Sequence, residues 1–375
     1  MRVLSVQMRD FRTYARAEAG LGAGLTVVHG PNGAGKSNLL EAVYFGCTGR
    51  SPRTRNDREL VRFGAHAARV TIRLLDGTRP HELSVGFGAL GVGGPPDKPV
   101  KRMSADGANV ERLLEVENRP LVSVFLPDRL ELLKGPPAVR RAHLDQVVAA
   151  IWPARADTRR QYSRVLAQRN ALLARIRSRR ASDASLSTWD HELAAAALEL
   201  CAHRAAALEL LAEPFARRAA QLGCSGELSL VYRPRSRALD VEQYVAELRE
   251  RLPGDLERGF TGHGPHRDEL AVLRDGRELR VYGSQGEQRL ALLALLLAER
   301  AVLAHERRRT PLMLLDDVMS ELDGERRELL ASELRADGQS VIATTDLAHV
   351  PGAMDASVAR LRISPGTVLQ EALAA

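Results

Sequence analysis

Lysine is almost missing from this chain of 375 residues, which has Lys36, Lys98, Lys101 and Lys134 and otherwise draws its positive charge from arginine. Alanine is abundant as well, so the bias reads as genomic base composition rather than as a functional device. Cysteine is scarce too: Cys47, Cys201 and Cys224 are odd in number and lack metal-ligand spacing. That excludes a disulfide framework and makes a reducing cytoplasm the default setting. Aromatic residues make up 4% of the chain, too few for a surface that holds bases mainly by stacking. The longest apolar run, residues 290–298, lies between Arg289 and Glu299 and is about half the roughly 20 residues a membrane helix needs. The opening Met-Arg-Val-Leu-Ser-Val-Gln alternates like a strand and lacks the apolar core of a secretion signal, so a soluble protein is expected. There is no internal repeat and no low-complexity tail.

What is present begins with size and charge. The length suits two or three compact units, or one large α/β domain carrying an inserted subdomain. A formal charge of +7 is compatible with nucleic acid or another anionic surface without proving either.

The most informative stretch is Gly30, Pro31, Asn32, Gly33, Ala34, Gly35, Lys36 and Ser37. It follows an apolar strand-like run, residues 25–28, and precedes a helical pattern over residues 38–45. Glycines in that context turn consecutive backbone N–H groups toward one anion, and the helix N-terminus adds its partial positive charge. Lys36 then reaches the terminal phosphates and the Ser37 hydroxyl ligates Mg²⁺. A nucleoside triphosphate is the expected ligand.

A strand is expected at residues 3–9, leading with the run at 25–28 into the phosphate loop. Three more are expected at 68–75, 82–87 and 100–103, with turns at Asp76-Gly77 and Asp106-Gly107, and their short spacing predicts an antiparallel sheet beside the nucleotide site. Residues 86–99 are rich enough in Gly and Pro to form a mobile surface loop. Residues 121–126 read as a buried strand. From Arg140 to Arg180 the chain has eleven arginines against Asp145 and Asp157, on a helical pattern. After a loop at 178–187, residues 189–222 read as a second long helix. The pair predicts a helical hairpin projecting from the sheet, each arm about 40 Å long. Strand-like text returns at 227–232, a helix at 241–251, and apolar strands at 312–315 and 340–344. The nucleotide domain is thus assembled from both ends of the chain: residues 1–135 and 226–375 form the head, and 136–225 the arm.

Two segments can complete the chemistry. The strand at 312–315 ends in Asp316 and Asp317; an acid at a strand end can hold Mg²⁺, and its neighbour can orient the attacking water. Lys36, Asp316 and Asp317 are therefore the candidate catalytic set, with Ser37 and Asp316 the metal ligands. The turn Tyr282-Gly-Ser-Gln-Gly-Glu-Gln-Arg289 opens a helix at residues 290–304, and Ser284, Gln285 and Gly286 form a second anion-binding device. One nucleotide does not need two cradles from one subunit, so this one points to a phosphate contact across a dimer. Ser284 and Glu287 also fit a plain capping box, and both roles can hold together.

Read together, these motifs resemble the ABC-type ATPases of the SMC class. Adding Pro127-Asp-Arg-Leu-Glu-Leu-Leu-Lys-Gly135 with Arg140-Arg141 and Leu144-Asp145, Gly264-Pro-His-Arg-Asp268, and Leu314-Leu-Asp-Asp-Val-Met-Ser320-Glu-Leu-Asp323, the resemblance narrows to the RecF family of bacterial DNA replication and repair proteins. It runs from Phe11-Arg12 to Thr344-Thr345. The resemblance implies an α/β fold, an ABC-type P-loop ATPase head of mixed sheet and flanking helices with an inserted helical arm. It also implies ATP and Mg²⁺ as cofactors, ATP-driven homodimerisation, binding to single-stranded, gapped or double-stranded DNA, a link to the SOS response, and RecR- and RecO-type partners. Residues 320–323 resemble the D-loop of a dimer interface. Thr345 stands where transporter-type ATPases have a switch histidine, and Ser-Gln-Gly-Glu-Gln replaces Leu-Ser-Gly-Gly-Gln, which implies weak, slow hydrolysis used as a switch. His143 and Pro136 also depart from the family pattern. An ATPase subunit of a transporter is the alternative.

Clustered charge on one helix face attracts phosphates without regard to sequence. Arg159, Arg160, Arg164, Arg175, Arg179 and Arg180 are the candidate DNA contacts, a solvated helix face being the other reading of the same run. Tyr162 is the one aromatic nearby. His263 and His266 beside a Gly-Pro turn read as structural rather than as metal ligands.

Overall fold

The structure, a computed structural model, describes residues 1–88, 100–116, 119–126 and 130–371. Most of the expected Gly/Pro-rich loop, residues 89–99, and Pro127, Asp128 and Arg129 of the quoted motif lie outside the described residues. Two compact units are formed, one of Met1–Arg129 with Leu303–Ala375, the other of Leu130–Val302.

The first unit opens with β1 (Arg2–Phe11), β2 (Tyr14–Gly20), β3 (Leu25–His29) and α1 (Lys36–Thr48), then β4 (Ala67–Asp76), β5 (Arg79–Gly88), β6 (Val100–Ala105), β7 (Ala108–Val110) and β8 (Val122–Phe125). An antiparallel sheet in the order β2-β1-β4-β5-β6-β7 contains the three strands expected of it, as β4, β5 and β6, and adds β1, β7 and β2. That strand reads Tyr-Ala-Arg-Ala-Glu-Ala-Gly, alanine-rich text with little strand propensity, and it exists because β1 pairs with it along its length. Val6, Met8, Val70, Ile72 and Val85 turn one face of the sheet inward, where Leu39, Leu40, Val43 and Phe45 of α1 join the same core. Helix and sheet approach closely at Gly46, where a Cβ would lie 2.4 Å from the Ile72 side chain.

The second unit contains α2 (Glu131–Lys134), α3 (Pro137–Ile151), α4 (Thr158–Arg177), α5 (Leu186–Gln221), β9 (Leu228–Arg233), α6 (Val241–Arg258), β10 (Glu269–Arg274), β11 (Arg277–Glu278), α7 (Leu279–Tyr282) and the start of α8 (Gln285–Arg307). The basic run is two helices, not one. Pro153 follows Trp152, and proline both lacks a donor and pushes the residue before it out of the helical region, so α3 stops at Ile151. The hairpin is made by α4 and α5, of 20 and 36 residues, about 30 and 54 Å long instead of two equal arms. Tyr162, Val165, Leu193, Ala197, Leu200, Tyr244 and Leu248 form the core that joins α4, α5 and α6. β9, α6 and β10, grouped with the head from the sequence, fall within this second unit.

Back in the first unit, β12 (Leu312–Asp316), α9 (Gly324–Ala336), β13 (Ser340–Thr344), β14 (Ala359–Ser364) and β15 (Thr367–Gln370) complete a six-stranded sheet in the order β15-β14-β3-β13-β12-β8. β12 and β13 are buried along their whole length, which is why they read as continuous apolar runs rather than as alternations. Parallel pairing of β3 with β13 and of β13 with β12 sets the loop after His29 and the acids after Leu315 at the same edge.

Candidate nucleotide site

The loop between β3 and α1 is held open by its backbone. Gly30, Gly33 and Gly35 all have positive φ, at 151°, 77° and 118°. Beneath Gly30 the chain of β14 leaves no room: a Cβ there would sit 2.3 Å from the Ile363 carbonyl oxygen. Around Gly33 nothing lies within 4 Å, so the top of the loop faces free space. Gly30→Ala is therefore expected to cost about 1–3 kcal/mol in strain, read as a lower urea midpoint. An unchanged midpoint would mean that the loop is not held as described.

Lys36 is buried, and its Nζ donates to the carbonyls of Gly30 at 2.8 Å and Pro31 at 3.0 Å. Burial lowers its pKa, while the nearby Asp317 and Asp316 work in the opposite direction. Asp316, at the end of β12, is raised by burial and held down by a hydrogen bond from Ser37. The two residues expected to share a metal are thus brought together. Asp317 takes a left-handed φ of 51° and donates its N–H to the Ala343 carbonyl at 3.0 Å. Its Oδ1 is buried without a hydrogen-bond partner. A buried carboxylate oxygen left unpaired is costly unless something supplies a donor or a cation. The donor set therefore fits a triphosphate with Mg²⁺: backbone N–H groups, an ammonium, a hydroxyl and two carboxylates.

The segment before β2 also serves this site. Tyr14 donates its hydroxyl to the Gly35 carbonyl at 3.0 Å, and the Asn38 amide donates to Thr13 Oγ1 at 3.1 Å. Arg12 grips the buried Glu41 with two 2.8 Å bonds, and Ser51 and Arg53 bind the same carboxylate at 2.6 and 3.2 Å. Arg53 also reaches Asn38 Oδ1 at 3.0 Å. Sequence reasoning passed over Tyr14 and Arg53, because nothing local ties them to residues 30–37; only Phe11-Arg12 carried a family signal. Thr344 is in register with His29, so Thr345 follows directly on the strand end beside the loop and offers no imidazole there.

In the second unit the turn before α8 forms the capping box. The Ser284 N–H donates to Glu287 Oε2 at 2.8 Å, and the Glu287 N–H donates to Ser284 Oγ at 3.3 Å. Hydrogen bonds from Ser225 and the Ser284 N–H hold the Glu287 carboxyl below its usual range. The buried Gln288 amide ties the turn to the Leu279 and Gly283 carbonyls at 3.1 and 2.9 Å. Ser284, Gln285 and Gly286 are nevertheless exposed. The cap is formed, and the three residues at the turn remain exposed.

All six candidate DNA contacts are exposed. Arg159 pairs with Asp145 at 3.3 Å and Arg160 with Asp157; Arg164, Arg175, Arg179 and Arg180 have no acidic partner among the described residues. Arg160, Arg164 and Arg175 line the side of α4 opposite its buried stripe of Tyr162, Val165, Arg169 and Leu173. Tyr162 is unavailable for stacking: its hydroxyl lies 2.6 Å from His266 Nδ1 inside the core. His263 Nε2 lies 2.6 Å from Glu247, and no group of three or more metal-ligating side chains occurs among the described residues. No described helix is long and apolar enough to cross a membrane.

The family described as an AAA domain matches residues 5–113. The DNA replication and repair protein RecF of Streptomyces avermitilis is 38% identical over 391 residues, spanning 98% of this chain and 99% of that protein. The protein of the same name from Heliobacterium modesticaldum is 35% identical over 357 residues, 93% of each. Among solved structures, the recombination mediator protein RecF-ATP in the RecFOR pathway matches with a TM-score of 0.85 at 27% identity, over 99% of this chain and 98% of that one. An Smc head bound to the C-winged helix domain of ScpA matches with a TM-score of 0.58 at 16% identity over 100% of this chain and 98% of that one, a likeness of fold alone.

Proposed function

This chain belongs to the RecF family of DNA replication and repair proteins, and from that premise we propose that it is an ATP-switched DNA-binding dimer of recombinational repair in the cytoplasm. The observation that carries the reading is the convergence of the residue 30–37 loop, the Ser37–Asp316 pair and the unpaired Asp317 carboxylate at one edge of the parallel sheet. Ser37 and Asp316 are the residues to hold Mg²⁺, which supplies charge neutralisation of the phosphates when bound. Lys36 offers its ammonium to the same charge. Asp317 is placed to accept a proton from, or orient, an attacking water. With Thr345 in place of a histidine at the strand end, hydrolysis is slow and ATP acts mainly as a switch.

The exposed Ser284 turn closes over the phosphates of a second copy's nucleotide, so that two ATP molecules join two heads. The arm arginines hold single-stranded or gapped DNA by its backbone, in the service of an SOS-linked response with RecR- and RecO-type partners. Family membership sets the transporter alternative aside.

Sedimentation with and without ATP tests this reading. The unmodified chain is expected to become a dimer with ATP, while Ser284→Arg keeps its ATP affinity and stays a monomer, because a long cation displaces the small hydroxyl at the turn. A Ser284→Arg variant that dimerises normally would sink the composite site.

A further inference from the structure

The antiparallel sheet of the first unit has a row of arginines that neither the nucleotide site nor the arm uses. Arg9 of β1 stands directly opposite Arg16 of β2 and, on its other side, opposite Arg69 of β4. Arg69 is in register with Gly86 of β5, and Gly86 with Arg102 of β6. Directly opposite residues of antiparallel strands share a face, so the four arginines form one line across five strands. At about 4.8 Å between strands the line is about 19 Å long. All four side chains are exposed. One residue along each strand, Met8, Val70, Val85 and Met103 are in register and belong to the core cluster or pack against it, which fixes the arginine face as the outward one.

None of the four has an acidic partner among the described residues. Glu18, on the same face, is drawn toward Arg73 at 3.9 Å. Like charges directly opposite in a sheet are destabilising. Three adjacent arginines in register are therefore an unfavourable arrangement for folding, and a polyanion laid along the line relieves it. The next outward row is Glu18, Gln7, Thr71, Ser84 and Ser104, able to hydrogen-bond, with the one carboxylate among these five at its β2 end. It lacks the apolar centre found in the buried core of protein interfaces, and guanidinium groups suit phosphate.

We propose that this sheet face is a second contact surface for the nucleic-acid backbone, separate from the arm, reading charge and not sequence. The inference rests on the DNA-binding reading above and adds a surface to it. The test uses the full chain with Arg9, Arg16, Arg69 and Arg102 all changed to Gln. Binding of labelled gapped and single-stranded DNA is followed by fluorescence anisotropy with ATP and Mg²⁺ across a salt series. Affinity is expected to fall about tenfold or more at low salt, and the slope of log affinity against log salt to become shallower by roughly 3. The melting temperature should hold or rise as the repulsion disappears, and the matching set of Arg→Lys changes should retain binding.

An unmodified chain that ignores DNA would defeat the DNA-binding reading and this inference with it. An unmodified chain that binds DNA, with a Gln set that binds equally well and with the same slope, defeats the inference alone. So does a Gln set that keeps its DNA affinity but loses self-association, which would make the face a protein surface. If the fourfold set melts early, Arg9→Gln with Arg69→Gln decides by the salt slope alone, an unchanged slope overturning the proposal. A parallel set at Arg164, Arg175, Arg179 and Arg180 separates the arm's contribution from that of the sheet.

Discussion

Lys36→Met is expected to lower ATP affinity by roughly a hundredfold or more, with the fold retained. An ammonium held in a buried loop meets the phosphates as a charge-assisted partner, and truncating one side of such a pair costs about 2–5 kcal/mol, at about one power of ten for each 1.4 kcal/mol. Methionine keeps the length of the side chain and removes only the charge and its donors. The loop itself loses two hydrogen bonds, to the carbonyls of Gly30 and Pro31, at about 1 kcal/mol each, so a small drop in melting temperature accompanies the effect. Isothermal titration with ATP reads the first quantity and a thermal melt the second. Near-normal ATP affinity in the variant would show that the Gly30-to-Ser37 loop is not the phosphate site. Loss of ATP binding should also remove ATP-dependent dimerisation, linking this result to the Ser284→Arg experiment.

The second large effect is one of stability. Arg169 is fully buried, with Nε donating to Asp190 at 2.8 Å and Nη1 to Asp255 at 2.9 Å and to Thr261 at 2.7 Å. It joins α4, α5 and α6 by charge where their apolar side chains also meet. Arg169→Ala leaves buried carboxylates on Asp190 and Asp255 without this counter-charge. Breaking a buried pair from one side costs about 3–5 kcal/mol, which for a unit of this size lowers the melting temperature by roughly 10 °C. Replacing the whole group by apolar or neutral residues is far milder. The variant combining Arg169→Leu with Asp190→Leu and Asp255→Asn should therefore recover much of the loss. Differential scanning calorimetry of the single and combined variants checks this; equal destabilisation by both would mean that packing, not uncompensated charge, sets the cost.

Arg169 also shows where sequence reading stops. It is one of eleven arginines between residues 140 and 180, and the charge run treats them alike. In the fold, Arg140 and Arg169 are buried, Arg159 leans on Asp145, and Arg164 and Arg175 face outward. Charge composition describes a segment, whereas exposure depends on which neighbour covers each side of the helix. Tyr162 makes the same point: it stands in sequence among the candidate DNA contacts, yet it lies in the core against His266.

Breaks in local pattern were easier to see than their consequences. The Pro153 signal was present in the text, but the helical periodicity on either side of it concealed the end of α3. β2 had no signal of its own, since its alanines become a strand only through pairing with β1. The arginine line across β2, β1, β4 and β6 was likewise invisible, because its members are scattered over residues 9 to 102 and meet only through strand register.

The nucleotide loop, its helix and the strands ending in Asp316 and in Thr344 were legible because their chemistry is carried by consecutive residues, whose spacing is set by covalent geometry and whose apolar runs announce burial. Register and packing across the fold settled the rest: that Tyr14 and Arg53 serve a loop they do not adjoin, and which arginines are free to face an anion. Those outcomes depend on contacts between residues far apart in the chain, and local spacing holds no record of which of them will meet.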